Sequence, residues 1–539
     1  MSQGTTPEPF DGEVLGVLPD AIAPGRDMII VEATSPAIDA AGGIWAGMSG
    51  SPFYVDDKLV GVVAFGLTLG PSPIAGLTPA EEIRRVHQYP ISSLASAPAK
   101  VTLPRALARK VARRAALRTS QASTFVRLKV PVSVSGVPAR SFKRLNAMAR
   151  RTGAKILGYN GASASSVLPG DPSEIVPGGN FAAALSYGDV TIAGVGTTSY
   201  VCDERAVAFG HPFFFTGATS AAASVADALT IVTGDLFGPF KLATVGGPVG
   251  ILDQDRLGGV RTLLGLTPGT TPIQSGFTSL DTGRARAGQT DAVVDDFLAD
   301  LTFFHTLGNI DSVLDAIGKG SARLEWTITG SDDDGDPWSL ARQDILASEW
   351  DISFDASVQL ADEVFAIGQF QDEGVTVDGI EMSGDAEQTL KLLRIKKVLV
   401  KRAGEFVRLG SEITARPGQL VKFEVVLRSI PGAPDRLVHL RVRMPDNFRH
   451  AVIEIAGGPT EEFCEDEFCE GPETFAELLD DLRTKRQHND LAATVFGGRN
   501  FVARDVDTRR FDRAVQGQRT VFVSRAGGGG EAPAAGRAG

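Results

Sequence analysis

Residues 42–65, GGIWAGMSGSPFYVDDKLVGVVAF, join a glycine-rich turn to two short apolar runs. The runs PFYV and KLVGVVAF are rich in β-branched and aromatic residues, and an Asp-Asp pair at 56–57 separates them, which predicts a β-hairpin. Ser49 comes just before the first strand, between Gly47 and Gly50. Because glycine adopts backbone conformations closed to other residues, this turn can present a serine hydroxyl and backbone amides on one side.

The composition is that of a globular protein with many strands and turns. The 539 residues are 43% hydrophobic and 22% charged. At roughly 100–200 residues per domain, three to four domains are expected. The 61 Gly and 30 Pro, with many short Val/Ile-rich runs, predict a mainly β fold. No apolar run approaches the ~18–20 residues that span a bilayer. The start MSQGTTPEPF shows no signal peptide.

The charge is segregated along the chain. The net charge is −12, yet no acidic residue occurs between Glu82 and Asp171. The same stretch carries a basic cluster: Arg105, Arg109, Lys110, Arg113, Arg114 and Arg118. A solvated basic helix is the favoured interpretation, and contact with an anionic envelope surface is the alternative. No nucleic-acid motif accompanies the cluster, so we expect no specific nucleic-acid partner.

The three cysteines exclude a disulfide-dense scaffold. Cys464 and Cys469, in FCEDEFCEG, are spaced to close a small loop disulfide, which suits a compartment outside the cytoplasm. A zinc site needs two further ligands nearby, and the sequence offers none there. Cys202 is interpreted as a lone core or strand residue. We expect neither a metal nor an organic cofactor.

Ser49 is the candidate nucleophile. A serine nucleophile needs a tight turn and backbone N–H groups aimed at the oxygen that becomes negative. The amides of Gly47 and Ser49 are candidates for this oxyanion hole. A plain glycine-rich turn is the competing interpretation, and the short motif alone does not separate the two.

His211 is the candidate general base. It lies in the segment AFGHPF, after a strand-like run and next to Gly210. The other five histidines lack this glycine framing: His87, His305, His439, His450 and His488. His87 ends a helix that TPAE at 78–81 predicts as a capping box. A histidine that only fills the core is the alternative for His211.

Together the two motifs resemble the stage IV sporulation protein B (SpoIVB) family of serine peptidases. The resemblance covers residues 10–66 around Ser49 and residues 193–213 around His211. It implies a trypsin-like double β-barrel, a protein substrate, Ser49 as nucleophile and His211 as base. An enzyme of another type, such as an esterase, would use the same two side chains.

This sequence departs from the family pattern in three respects. The Ser segment precedes the His segment, which implies two barrels in permuted order around a site between them. The acid of the family triad falls near Ser35, so Asp39 is the nearest carboxylate that could orient His211. No PDZ-like module is evident before the Ser segment.

The sequence therefore predicts a mainly β, extracytoplasmic serine endopeptidase with β-rich accessory domains. The alternative is a catalytically inactive envelope binding or scaffold protein that keeps the peptidase fold. The distance from the Ser49 hydroxyl to the His211 ring distinguishes them. The predicted segments are a Ser-bearing half at 1–90, a basic linker or insertion at 91–177, a His-bearing half at 178–265, an α+β region at 266–394, a β-sandwich-like domain with an acidic loop at 395–525 and a disordered tail at 526–539.

Overall fold

The structure, a computed structural model, describes most of the chain. The described residues are 3–67, 72–89, 100–102, 124–127, 130–135, 137, 140, 156–160, 169–233, 238–459, 472–497 and 502–526. Three features predicted from the sequence lie outside these ranges: the basic cluster, the cysteine pair with its acidic loop, and the tail after residue 526.

Strands account for most of the regular structure, which confirms the mainly β prediction. The α-helices of the described residues are α1 (Pro36–Ala41), α2 (Ala80–Gln88), α3 (Leu298–Leu314), α4 (Ile352–Gly368) and α5 (Phe475–Thr484). The strands are β1 (Asp11–Ala23), β2 (Arg26–Thr34), β3 (Pro52–Val55), β4 (Lys58–Leu67), β5 (Ile74–Pro79), β6 (Lys100–Thr102), β7 (Thr124–Arg127), β8 (Val130–Ser135), β9 (Ile156–Asn160), β10 (Asn180–Gly188), β11 (Thr191–Cys202), β12 (Arg205–Ala208), β13 (Gly217–Val232), β14 (Phe240–Arg256), β15 (Gly259–Leu264), β16 (Thr271–Ser279), β17 (Ala285–Ala292), β18 (Gly320–Ser331), β19 (Pro337–Ser348), β20 (Thr376–Glu387), β21 (Leu392–Arg402), β22 (Glu405–Arg408), β23 (Glu412–Ala415), β24 (Leu420–Ile430), β25 (Arg436–Arg443), β26 (His450–Gly457), β27 (Asp490–Gly497), β28 (Val502–Arg510), β29 (Ala514–Gln516) and β30 (Gln518–Arg525). Within the described ranges, no helix is both long and apolar enough to cross a bilayer.

The chain separates into two compact units. Unit 1 contains Met1–Gln274, Gly288–Gly308 and Asp378–Ile380. Unit 2 contains Ser275–Ala287, Asn309–Val377 and Glu381–Gly539. Both candidate catalytic residues therefore belong to unit 1.

A seven-stranded sheet begins unit 1. Its order is β1-β2-β5-β4-β7-β6, with β3 paired to β4. The hairpin of β3 and β4 confirms the sequence prediction, and its turn residues Asp56 and Asp57 have φ of 49° and 57°. Apolar side chains cover both faces of this sheet, with Met28 and Phe65 in one cluster and Trp45 in the other. Trp45 thereby anchors the turn that carries Ser49.

The second sheet of unit 1 contains a ring of six antiparallel strands. Strand β10 pairs with β13, then β13 with β14, β14 with β15, β15 with β12, β12 with β11, and β11 pairs back with β10. Small side chains fill its core, including Ala182, Ala222 and Ala243. Such residues suit the narrow interior of a closed ring. His211 lies three residues after the end of β12.

The seven-stranded sheet and the ring are in direct contact within unit 1. Ala46 N–H donates to the Pro239 carbonyl at 2.9 Å, and Lys241 N–H donates to the Ala46 carbonyl at 2.9 Å. On the far side of the hairpin, Val62 and Val207 pack in one apolar cluster with α2. These contacts hold the turn that carries Ser49, which comes just before β3, against the ring.

Unit 2 combines a helix-covered hairpin with a β-sandwich. Helix α4 packs against β18 and β19. One sandwich sheet has the order β22-β21-β24-β25 with β29 beside β21, and the other has the order β23-β30-β26-β27-β28. Phe423, Ile453 and Val495 are buried in the core between these sheets.

The capping box predicted at 78–81 is wrong. Helix α2 begins at Ala80 with Pro79 as its N-cap, and no side chain caps it. Thr78 is instead a residue of β5, and its buried hydroxyl donates to the Gly210 carbonyl at 2.6 Å. The Thr78 hydroxyl therefore hydrogen-bonds to a residue distant in sequence instead of capping the helix as the local sequence predicts.

Candidate active site

Ser49 lies on a turn whose backbone is held from two sides. Gly50 N–H donates to the Val63 carbonyl at 2.7 Å, and Thr197 N–H donates to the Ser49 carbonyl at 2.9 Å. Gly47 and Gly50 have φ of +100° and +97°, in the region that favours glycine. A Cβ on Gly50 would collide with the Thr197 carbonyl. The close contact with β11 therefore requires glycine after the serine.

The backbone amides of this turn differ in their hydrogen bonding. Met48 N–H donates to the Trp45 carbonyl, and Ser51 N–H donates to the Met48 carbonyl. Among the residues that the structure describes, no acceptor is found for the N–H groups of Gly47 and Ser49. Both residues are buried. Buried N–H groups without a partner are rare, and a pair of them on one turn can bind an oxygen that carries negative charge.

The structure brings Ser49 and His211 together. His211 Nε2 lies 2.9 Å from Ser49 Oγ, although the residues are 162 positions apart. His211 Nδ1 lies 2.8 Å from the Pro212 carbonyl oxygen. A carbonyl only accepts hydrogen bonds, so in neutral His211 the proton resides on Nδ1 and Nε2 accepts from the serine hydroxyl. This is the tautomer that a general base acting on Ser49 needs.

The backbone around His211 is constrained. Phe209 and Phe215 have φ of 70° and 71°, which is uncommon for bulky residues and costs about 1–3 kcal/mol each. Phe209 N–H donates to the Thr197 carbonyl at 3.2 Å, and its ring lies 6.1 Å from the His211 ring at an interplanar angle of 27°. The surrounding contacts therefore hold the histidine segment in an unfavourable conformation, as is common at functional sites.

A buried carboxylate, Asp255 of β14, binds the segment that follows His211. Its Oδ1 accepts from Phe213 N–H at 2.8 Å, and its Oδ2 accepts from the N–H groups of Phe214 and Phe215 at 2.6 Å each. Burial raises the pKa of the Asp255 carboxyl, while hydrogen bonds from the amides of residues 213–216 oppose that rise. Sequence reasoning missed Asp255, which lies 42 positions from Phe213 and in no recognisable motif.

The structure does not bring Asp39 to His211. The Ser35 hydroxyl accepts from Ile38 N–H at 3.1 Å and so caps α1. Ile38 then faces the core, which leaves Asp39 on the exposed side of the helix. No hydrogen bond or ion pair joins the Asp39 carboxylate to His211, both of which lie in the described part of the chain.

A buried lysine lies behind the serine turn. Lys241 is 0% exposed, and its Nζ donates to Asn180 Oδ1 at 2.7 Å and to Thr197 Oγ1 at 3.4 Å. The Thr197 hydroxyl in turn donates to the Gly47 carbonyl at 3.0 Å. Burial lowers the pKa of Lys241 to about 7, against an opposing effect of Glu8. Nothing in its sequence context distinguishes this lysine from a surface residue.

Residues 1–73 match the model of the SpoIVB peptidase S55 family. The matched range includes Ser49 and ends before β5, so His211 lies outside it. The chain has no significant match among curated proteins or solved structures. The family match suggests a serine peptidase, and it extends over the N-terminal segment only.

Proposed function

We propose that the protein is a serine endopeptidase of SpoIVB type, with Ser49 as nucleophile and His211 as general base. The observation that carries the proposal is the 2.9 Å contact between His211 Nε2 and Ser49 Oγ. These side chains come from the seven-stranded sheet and from the ring, so only specific docking of the two brings them together. The match of residues 1–73 to a peptidase family supports the same function.

In this proposal the reaction proceeds through an acyl-enzyme. Ser49 Oγ attacks the scissile carbonyl carbon while its proton passes to His211 Nε2. The amides of Gly47 and Ser49 stabilise the negative oxygen of the tetrahedral intermediate. His211 then donates the proton to the leaving amine as the C–N bond breaks. Water, deprotonated by His211, hydrolyses the ester and restores the serine.

The permuted double barrel belongs to this proposal. The cyclic pairing of β10 to β15 supports a barrel on the histidine side, and the seven-stranded sheet is the candidate for the serine side. Docking of the two around Ser49 and His211 would preserve a trypsin-like site although the halves occur in reversed order. A protein substrate and a location outside the cytoplasm follow from the same resemblance.

Burial of the site favours a second candidate. Ser49 and His211 are each 1% exposed, so a polypeptide reaches Ser49 Oγ only after neighbouring structure moves aside. The second candidate is a catalytically inactive binding or scaffold protein that keeps the peptidase fold. For the peptidase, the same burial implies that the site opens transiently in the native protein, which also admits a small reagent during long incubation.

Covalent labelling decides between the two. We expect diisopropyl fluorophosphate, a small reagent, to modify wild-type protein at Ser49, with the site identified by mass spectrometry of the labelled peptide. Ser49→Ala should abolish labelling, whereas Ser51→Ala, which alters another buried serine of the same turn, should retain it. Wild-type protein that stays unlabelled after long incubation would overturn the peptidase and leave the binding protein.

A further inference from the structure

We infer that Asp255 is the positioning carboxylate of this site and acts on His211 through the Pro212–Phe213 peptide group. The inference rests on the proposed function, and it assigns the orienting role for which the sequence suggested Asp39. Among the described residues, the Asp255 carboxylate binds backbone N–H groups and has no contact with Ser49, so it is a positioning residue rather than a catalytic one.

A continuous series of hydrogen bonds leads from Asp255 to Ser49. The Asp255 carboxylate accepts from Phe213 N–H at 2.8 Å. The carbonyl of the same peptide group, that of Pro212, accepts from His211 Nδ1 at 2.8 Å. His211 Nε2 then accepts from Ser49 Oγ at 2.9 Å. The N–H and C=O of a trans peptide point in opposite directions, so one planar group bridges the carboxylate and the imidazole.

This arrangement transmits charge as well as orientation. A carboxylate that accepts from a peptide N–H polarises the group and increases the negative charge on its carbonyl oxygen. A more negative Pro212 oxygen strengthens its hydrogen bond to Nδ1 and stabilises the imidazolium that forms when His211 takes the serine proton. A triad aspartate does the same by direct contact. Here a peptide group stands between the acid and the base.

Both oxygens of Asp255 face N–H donors, which fits its ionised form. Oδ1 faces Phe213, and Oδ2 faces Phe214 and Phe215. A carboxylate only accepts hydrogen bonds, whereas a protonated carboxyl would direct an O–H among these donors. The ionised group is therefore the one that the surrounding backbone binds.

The position of Asp255 in the ring gives this orientation its rigidity. Asp255 is paired with Gly217 on β13 and with Val260 on β15. It is therefore a central residue of three adjacent strands, and its carboxylate also holds Phe215 in its unfavourable backbone conformation. A residue on a mobile loop could not fix the Pro212–Phe213 peptide plane in this way.

The test is Asp255→Asn, with Asp253→Asn as the matched control. Asp253 lies on the same strand, two residues away, and pairs with Arg261 at 2.6 Å. We expect Asp255→Asn to lower kcat about 10²-fold with little change in KM, less than the ~10⁴-fold loss for a directly bonded triad acid. The pKa of the His211 ring, measured by NMR and by the acid limb of the kcat/KM profile, should fall. Asp253→Asn should change neither quantity.

The NMR measurement needs no turnover, so it separates this inference from the proposed function. A folded Asp255→Asn variant with an unchanged His211 pKa overturns the positioning role, even if Ser49 is labelled. Wild-type protein that is not labelled at Ser49 overturns the peptidase, independently of the His211 pKa measured in the Asp255→Asn variant. If Asp255→Asn fails to fold, NMR of the wild-type protein tests the inference through the tautomer of neutral His211. The inference requires the proton on Nδ1, and a proton on Nε2 overturns it.

Discussion

Thr197 N–H donates to the carbonyl of Ser49, so the turn that presents the serine is hydrogen-bonded to a strand of the six-stranded ring. The carbonyl of Thr197 also accepts from Phe209 N–H, two residues before His211. One residue of β11 therefore contacts the serine turn with its N–H and the histidine segment with its C=O. The distance between Ser49 and His211 depends on this residue as well as on the side chains themselves.

The first prediction concerns Gly50, which packs directly on Thr197. Gly50→Ala places a methyl group against the Thr197 carbonyl and forces alanine into a φ of +97°. We expect the free energy of unfolding to fall by about 3 kcal/mol or more, and labelling of Ser49 to be lost. Urea denaturation and fluorophosphonate labelling measure the two effects.

Gly25 supplies the control for this substitution. Its φ is +74°, and apart from its two chain neighbours no described residue has an atom within 4 Å of the position that a Cβ would take. Gly25→Ala therefore tests the positive φ without the collision, and it should cost about 1 kcal/mol and leave labelling unchanged. Equal losses from the two substitutions would mean that close packing on β11 is not what requires glycine at 50.

The second prediction concerns the base. His211→Ala should slow labelling of Ser49 by about 10³-fold or more, because the hydroxyl loses the group that removes its proton. His87→Ala is the control, since His87 Nε2 contacts the Cys202 carbonyl at 3.1 Å and has no contact with Ser49 among the described residues. Rapid labelling of Ser49 in the His211→Ala protein would assign the base to another group.

The third prediction concerns Thr78, whose hydroxyl holds the Gly210 carbonyl. Thr78→Val keeps the shape of a fully buried side chain but leaves that carbonyl without this donor. We expect the free energy of unfolding to fall by about 1–3 kcal/mol and the labelling rate to fall as His211 loses its fixed position. The corresponding Thr282→Val change in unit 2 removes an exposed hydroxyl that accepts from Arg284 N–H, and it should have little effect on either measurement.

Those parts of the site that depend on short sequence motifs could be predicted from the sequence. The turn at Ser49 and its hairpin follow from glycine placement and β-type runs, and the family resemblance points to His211. Asp255 and Lys241 could not be found in this way, because only the pairing of distant strands brings them to the site. At Thr78 the local pattern predicts the wrong partner: the sequence suggests a helix cap, but the hydroxyl donates to the distant Gly210 carbonyl.

The last prediction concerns the pH dependence caused by Lys241. Its pKa of about 7 in the folded protein lies below the usual 10.5, so between these values the unfolded chain binds a proton that the folded chain lacks. The contribution of Lys241 to the free energy of unfolding therefore rises with pH in this window, by at most about 1.4 kcal/mol per pH unit. Below pH 7 both states bind the proton, and the full penalty for burying the charge remains.

Lys241→Met removes this titration and keeps most of the buried volume. The free energy of unfolding of wild-type protein, minus that of the variant, should be lowest near pH 6 and increase steadily towards pH 10. The same difference for Lys58→Met, at an exposed position, should stay nearly constant. Asn180 and Thr197 lose the Lys241 Nζ donor at every pH in the variant, because the neutral amine also donates hydrogen bonds, so that loss mainly shifts the Lys241→Met curve. A flat difference would mean that Lys241 keeps an ordinary pKa, and that the charge behind the serine turn is present throughout the physiological range.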